Sequence, residues 1–264
     1  MKVNLLRKLR GGNTLYYEGC LTKAAARDIG LNYRILLKKA GIEFIELFDK
    51  EICCASPLIS CGKGEEAEKL MQKNLELFKS RSVRKIIASC PGCSKVFSVD
   101  YPKILGDAWD IEVEHISHTL SRAIGEGKLD VKKLKTYKGT VTFHDPCHLG
   151  RYSGVYEEPR KVLEAAGCRI KEMKLTRERA LCCGGGAGVR SNHEILSSSI
   201  AKERAGMAKE TGAGVLVTCC PMCYLNLKEN AGGLKVVELS QVLRTEKDED
   251  EDEGKSGKRS RAKE

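Results

Sequence analysis

The chain has 264 residues, 41% of them hydrophobic and 5% aromatic, and its 46 basic and 36 acidic side chains give a formal charge of +10. That length supports one large core or two halves of about 130 residues, and the lack of any run of about 18 apolar residues excludes a membrane-spanning helix. The positive charge is interleaved with acids along the chain, which argues against nucleic-acid binding and for an acidic protein partner or an anionic small molecule.

Residues 1–10 are basic but carry no apolar stretch of signal-peptide length, so the expected location is cytoplasmic and reducing. Residues 13–18 read as a strand ending at Gly19-Cys20, with Thr22 expected to cap a helix that Gly41 stops. Residues 42–48 read as a second strand that delivers the vicinal pair Cys53-Cys54. Residues 65–80 have helical period, with Leu70, Leu75, Leu77 and Phe78 expected inside. A third strand at 85–88 runs into Cys90-Pro91-Gly92-Cys93, a helix continues toward Leu105, and a fourth strand at 111–115 precedes a short helix to Gly125.

The order then repeats. Residues 140–144 form a strand ending at Asp145-Pro146-Cys147, residues 157–166 a helix, and residues 169–175 an extended segment leading to Cys182-Cys183-Gly184. A helix at 193–209, a strand at 214–217, Cys220-Pro221-Met222-Cys223 opening another helix, and a strand at 235–239 complete the set, with Ser240 expected to cap a last helix. Every cysteine group is expected at a strand end, where chemistry gathers in parallel α/β folds. The fold expectation is therefore α/β, with two tandem pseudo-symmetric repeats, each a small parallel-sheet domain with crossover helices. The domains are placed at 13–130 and 138–244, and the charged segment 245–264 reads as a disordered tail.

Thirteen cysteines in a reducing compartment call for metal or redox chemistry, and an odd count suits a disulfide framework poorly. Ten of them repeat: Cys20 and Cys147 are 127 residues apart, Cys53 and Cys182 are 129 apart, and Cys90 and Cys220 are 130 apart. Each half thus holds a lone cysteine, a vicinal pair and a Cys-X-X-Cys. Zinc takes four ligands and would leave a fifth thiol idle, whereas adjacent cysteines reach different irons of a larger cluster. Spacing alone favours an iron–sulfur centre, with zinc and a metal-free dithiol as alternatives. Cys61, Cys168 and Cys219 read as structural.

This arrangement resembles the paired cysteine-rich CCG domains of heterodisulfide reductase catalytic subunits, over residues 14–243. The same domain occurs in iron–sulfur subunits of enzymes that oxidise lactate, glycolate and glycerol-3-phosphate. The resemblance implies one noncubane [4Fe-4S] cluster on Cys20, Cys53, Cys54, Cys90 and Cys93, and a second on Cys147, Cys182, Cys183, Cys220 and Cys223. It further implies a substrate like the disulfide of coenzyme M and coenzyme B, split between clusters that each deliver one electron. A ferredoxin-type iron–sulfur subunit, and a flavoprotein or membrane cytochrome subunit, are the implied partners, with attachment to a membrane only through them. The family's Cys-Cys-Gly stands as Cys182-Cys183-Gly184 but as Cys53-Cys54-Ala55 in the first half. Without a ferredoxin-type cysteine segment the chain resembles a B-type subunit, although residues 144–151 look like the D-type branch.

His144 and His148 flank Cys147 and are the candidate proton donors to a leaving thiolate. Residues 184–188 read as a glycine-rich loop packed against a cluster, since they lack the ending of a nucleotide-binding loop. Arg151 and Arg190 are candidate contacts for a substrate anion.

Overall fold

The computed structural model describes residues 11–243; the expected tail at 245–264 lies outside them. The first sheet holds β1 (Asn13–Tyr17), β2 (Val83–Ala88) and β3 (Glu112–His115) in the order β1-β2-β3. The second holds β4 (Gly139–Phe143), β5 (Cys168–Ile170), β6 (Val215–Thr218) and β7 (Lys235–Glu238) in the order β5-β4-β6-β7. Every pairing is parallel and the connections carry helices, as the alternating pattern predicts.

The two sheets differ at one edge. Residues 42–48 do not form the expected strand: Ile45 alone bridges to Leu15. Its N–H reaches the Thr14 carbonyl at 2.8 Å, as the Lys171 N–H reaches Val141 at 2.8 Å in the second half. The segment is an edge with pairing available on one side, and Phe48 turns it away at φ 47, where Arg177 at φ 54 does the same after β5. Both residues open 3₁₀ turns, Phe48–Lys50 and Arg177–Arg179. The vicinal cysteines therefore follow turns, and only the lone cysteines and the Cys-X-X-Cys groups follow strands.

Side-chain alternation in β1 and β2 explains how the halves join. Leu15, Tyr17, Ile86 and Ala88 face a core of Met71, Phe78, Phe97, Tyr101 and Trp109. Tyr16 and Ile87, on the opposite face, enter the core that also holds Val141, Phe143, Leu216 and Val217 of the second sheet. The first sheet is buried on both faces, and the larger core belongs to both repeats. On the helix Gly64–Ser80 the inner face is Ala67, Met71, Asn74, Leu75 and Phe78, while Leu70 and Leu77 are half-buried.

Two expected caps are corrected. Thr22 lies inside the helix Cys20–Ala25, fully buried, and a break at Ala26 precedes the helix Arg27–Lys39. At the last helix, Leu239–Leu243, the Glu238 carboxylate accepts from the Ser240 N–H at 2.7 Å, so Glu238 takes the capping role expected of Ser240. His115 takes the same place after β3, its Nδ1 accepting from Ser117 N–H at 3.2 Å.

Glu238 also accepts from the Tyr33 hydroxyl of the first half at 2.5 Å, and burial pushes its carboxyl up to about 7. A folded-state value above the ordinary 4.5 means that the stability it contributes is full below about pH 4.5 and is lost as pH rises through about 7. Glu238→Gln, a mimic of the protonated acid, is expected to raise the unfolding free energy by about 2–3 kcal/mol at about pH 8 and to change little at about pH 4.5. Chemical denaturation at both pH values measures this, and an equal effect at the two would contradict it.

Candidate metal centre

Each Cys-Pro-X-Cys is built by one local rule. Cys90 and Cys220 are extended residues at the caps of the helices Pro91–Lys95 and Pro221–Asn230, and proline at the first helical position needs no N–H partner. Cys93 and Cys223 then lie one turn on, so both thiols of each pair sit at a helix N-terminus, where partial positive charge favours thiolate.

The vicinal pairs are held by backbone donors. The N–H groups of Gly184 and Gly185 point to the sulfurs of Cys182 and Cys183 at 3.4 and 3.5 Å. Those of Ala55 and Ser56 serve Cys53 and Cys54 in the same way. An asparagine clamps each loop: Asn74 Nδ2 donates to the Cys53 carbonyl at 2.9 Å and Asn226 Nδ2 to the Cys183 carbonyl at 2.7 Å. Ala55 adopts φ 75 and Gly184 φ 80, so both halves use the left-handed turn that the Cys-Cys-Gly pattern requires. The residues differ because space differs. A Cβ on Gly184 would lie 2.8 Å from the Ser197 carbonyl oxygen and 3.0 Å from Ile200 Cβ, whereas the Ala55 methyl is accommodated in the first core.

The structure brings all ten predicted cysteines together. Hydrogen bonds link thiol to thiol from Cys20 through Cys53, Cys54 and Cys93 to Cys90. A second run passes from Cys147 through Cys182, Cys183 and Cys223 to Cys220. Cys90 and Cys220 contact each other, joining the runs at their centre. Cys54, Cys93, Cys183, Cys220 and Cys223 are buried, Cys53, Cys90, Cys147 and Cys182 are half-buried, and Cys20 is exposed. Each set is thus closed at one side and open at the other.

Packed this tightly, the thiols cannot all ionise unaided. Cys54 is pulled down to about 5 by the thiols of Cys53 and Cys93 that donate to it. Cys182 is likewise lowered by Cys147 and then Cys183. Cys20 and Cys147 are pushed well up because each donates to an ionised neighbour and is partly desolvated. Several soft donors whose charges exclude one another suit a multinuclear cationic centre better than a single tetrahedral ion.

His144 is fully buried, and Arg204 Nε donates to its Nδ1 at 3.1 Å, which leaves the ring proton on Nε2. Burial, then the Arg204 charge, lowers it to about 3. A ring nitrogen of His144 and the sulfurs of Cys183 and Cys223 all lie within 4.8 Å of one another, a ligand set that the sequence pattern does not reveal. His148 has Nδ1 3.7 Å from Cys147 Sγ and stacks on Tyr152, centroids 5.2 Å apart, and burial lowers it too. Tyr152, 59% exposed, lies beneath Lys95 Nζ of the first half at 5.7 Å.

Other candidates separate. Arg151 donates to the Ala180 carbonyl and Arg190 to Glu229. Cys168 is buried, its thiol donating to the Tyr137 carbonyl at 3.3 Å, and Cys219 is fully buried. Cys61 is exposed. Glu51, which no motif marks, accepts from the N–H groups of Glu18 and Gly19 at 3.0 and 2.9 Å beside Cys20.

Converging five-thiol sets on tandem parallel α/β repeats define a protein built to hold soft metal at two adjoining places. The chain belongs to the family of the cysteine-rich CCG domain, which matches residues 14–98 and again 141–228. It is 37% identical over 236 residues to the D-type subunit of the dihydromethanophenazine:CoB–CoM heterodisulfide reductase of Methanosarcina acetivorans, covering 88% of this chain and 57% of that protein. It is 31% identical to the B-type subunit of the fumarate reductase (CoM/CoB) of Methanothermobacter marburgensis, covering 88% and 46%. To the EtfAB:quinone oxidoreductase of Syntrophomonas wolfei it is 33% identical, covering 87% and 33%. The chain therefore spans between a third and just over half of the length of these curated relatives.

Ala55→Gly is expected to stabilise the chain by about 0.5–1 kcal/mol, the relief of a left-handed alanine less the entropy that glycine gains when unfolded. Gly184→Ala is expected to destabilise it by about 2–3 kcal/mol through backbone strain and overpacking. Denaturation midpoints of the two variants test the pair, and a loss in both would contradict the spatial account of the difference.

Proposed function

We propose that the chain is an iron–sulfur oxidoreductase subunit of the heterodisulfide reductase type, which reduces a small thiol disulfide at two [4Fe-4S] clusters of noncubane form. The observation that carries this reading is the continuous run of ten thiols with Cys90 against Cys220 at its centre. Two cluster sites so adjoined serve a two-electron substrate that must meet both. The heterodisulfide reductase and fumarate reductase (CoM/CoB) names of the relatives, with the CCG domain, support the same class.

The sets Cys20, Cys53, Cys54, Cys90, Cys93 and Cys147, Cys182, Cys183, Cys220, Cys223 hold the clusters. Bound there, the clusters would supply one-electron transfer and iron that accepts a thiolate sulfur. Splitting a disulfide into two thiols takes two electrons and two protons. His148, held by Tyr152 beside Cys147, is placed to pass a proton on the open side. His144, neutral with its proton on Nε2, donates a hydrogen bond within the buried side rather than titrating near neutral pH. Electrons arrive from a ferredoxin-type subunit, fed by a flavoprotein or membrane cytochrome subunit, and the chain works in the cytoplasm, peripheral to any membrane. Among the described residues no helix is long and apolar enough to cross one.

A second reading keeps the clusters without disulfide chemistry, as an electron-transfer subunit of a hydroxy-acid or electron-transfer-flavoprotein oxidase, and rests on the quinone oxidoreductase relative. Anaerobically prepared protein is expected to contain about eight irons and matching acid-labile sulfide per chain. Zinc without iron would overturn both readings. Turnover driven by a reduced dye is expected to need the heterodisulfide of coenzyme M and coenzyme B. Inertness toward it, with reduction by a flavoprotein dehydrogenase, would select the second.

A further inference from the structure

The two cysteine sets are related by repetition, but the charges around them are not. Arg204, on the helix Glu194–Glu210, is fully buried, and every partner it has is neutral: His144 Nδ1 at 3.1 Å, the Leu175 carbonyl at 2.7 Å and Met207 Sδ at 3.7 Å. Its Nη2 has no hydrogen-bond partner among the described residues. An isolated buried cation is costly and is kept where an anion compensates it. The nearest carboxylate, Asp145, is already engaged by both terminal nitrogens of Arg160, at 2.7 and 3.0 Å. Of the groups whose charge Arg204 feels, Cys223 belongs to the second thiol set, and His144 connects them.

Other charges near the sets repeat and so cancel in the comparison. Arg160 joins Asp145 and Glu172, and in the first half Arg34 joins Glu18 and Glu46. What does not repeat all has one sign. Asn74 stands 130 residues before Arg204, Tyr17 stands 127 before His144, and Glu51 stands 129 before Ala180. The first set thus has a neutral amide, a phenol donating to the Ile52 carbonyl, and a buried carboxylate balanced by Lys23 at 3.1 Å. The second has a guanidinium, an imidazole and no carboxylate in the corresponding place.

We infer that the second cysteine set lies in the more positive field, so that its cluster has the higher reduction potential and takes the first electron, with Arg204 as the positioning residue that makes the sets unequal. This rests on the two-cluster reading above. A buried positive charge stabilises the reduced, more negative form of a cluster, and net charge and hydrogen bonding are the protein's means of setting such potentials. Electrons entering the pair therefore come to rest at Cys147, Cys182, Cys183, Cys220 and Cys223, and the first set is the donor to them.

The test is an anaerobic redox titration of the full chain followed by electron paramagnetic resonance. Cys90→Ser/Cys93→Ser and Cys220→Ser/Cys223→Ser assign the signals to the second and first sets. The intact chain is expected to show two midpoints, the higher from the second set. Arg204→Met is expected to disfavour reduction of that set about tenfold, ~59 mV for one electron, with the first set unmoved, and Arg204→Lys to recover most of the shift. Coincident or reversed midpoints in the intact chain overturn the inference even if Arg204→Met fails to fold, and so does a Met variant in which both midpoints move together or neither moves. Iron content is read on each sample. Protein that holds no iron–sulfur cluster removes the two-cluster reading and this inference with it, whereas two clusters of equal potential remove this inference alone.

Discussion

Ten sulfur atoms in one continuous hydrogen-bonded run are the constraint on which the rest of the structure depends. Thiols at this density repel once ionised, and the chain answers with local dipoles: helix N-termini behind each Cys-Pro-X-Cys and backbone N–H groups behind each vicinal pair. The contact between Cys90 and Cys220 joins the two runs. It exists only because the carboxyl ends of β2 and β6 are brought face to face, so the joining of the halves is itself part of building the site.

That joining is secured by apolar burial and by a few buried polar pairs. Tyr16 and Ile87 carry the first sheet into the core of the second. Tyr33 with Glu238, and Asp28 with Gln241, tie the helix Arg27–Lys39 to the end of β7. Within each half an arginine on the helix after the lone cysteine gathers two carboxylates, Arg34 with Glu18 and Glu46, and Arg160 with Asp145 and Glu172. These triads hold the loop that precedes Cys20 or Cys147. A buried pair of this kind contributes more to geometry than to net stability, because desolvation offsets much of its attraction.

Legibility in the sequence follows the range of the interaction. Strands β1, β2, β4 and β6 and the helices they feed are readable because apolar runs and glycine or proline stops are local signals. The cysteine register is readable because a repeated spacing does not depend on the fold. Residues 42–48 mislead because strand propensity says nothing about whether a partner exists on both sides. Thr22 and Ser240 mislead as caps because neighbouring groups, a break at Ala26 and the reach of Glu238, set where those helices begin.

The sequence by itself determined the parallel α/β repeat, the ten-cysteine set and its division into fives, since periodicity and spacing are carried by the chain alone. Tertiary structure alone decided that the two sets touch, that Tyr152 stacks on His148 beside Cys147, and that Arg204 lies buried against His144 without a carboxylate. A charge on a helix reads the same in sequence whether it faces solvent or core. Its energy, and so its meaning, is set by the dielectric and the partners that folding places around it.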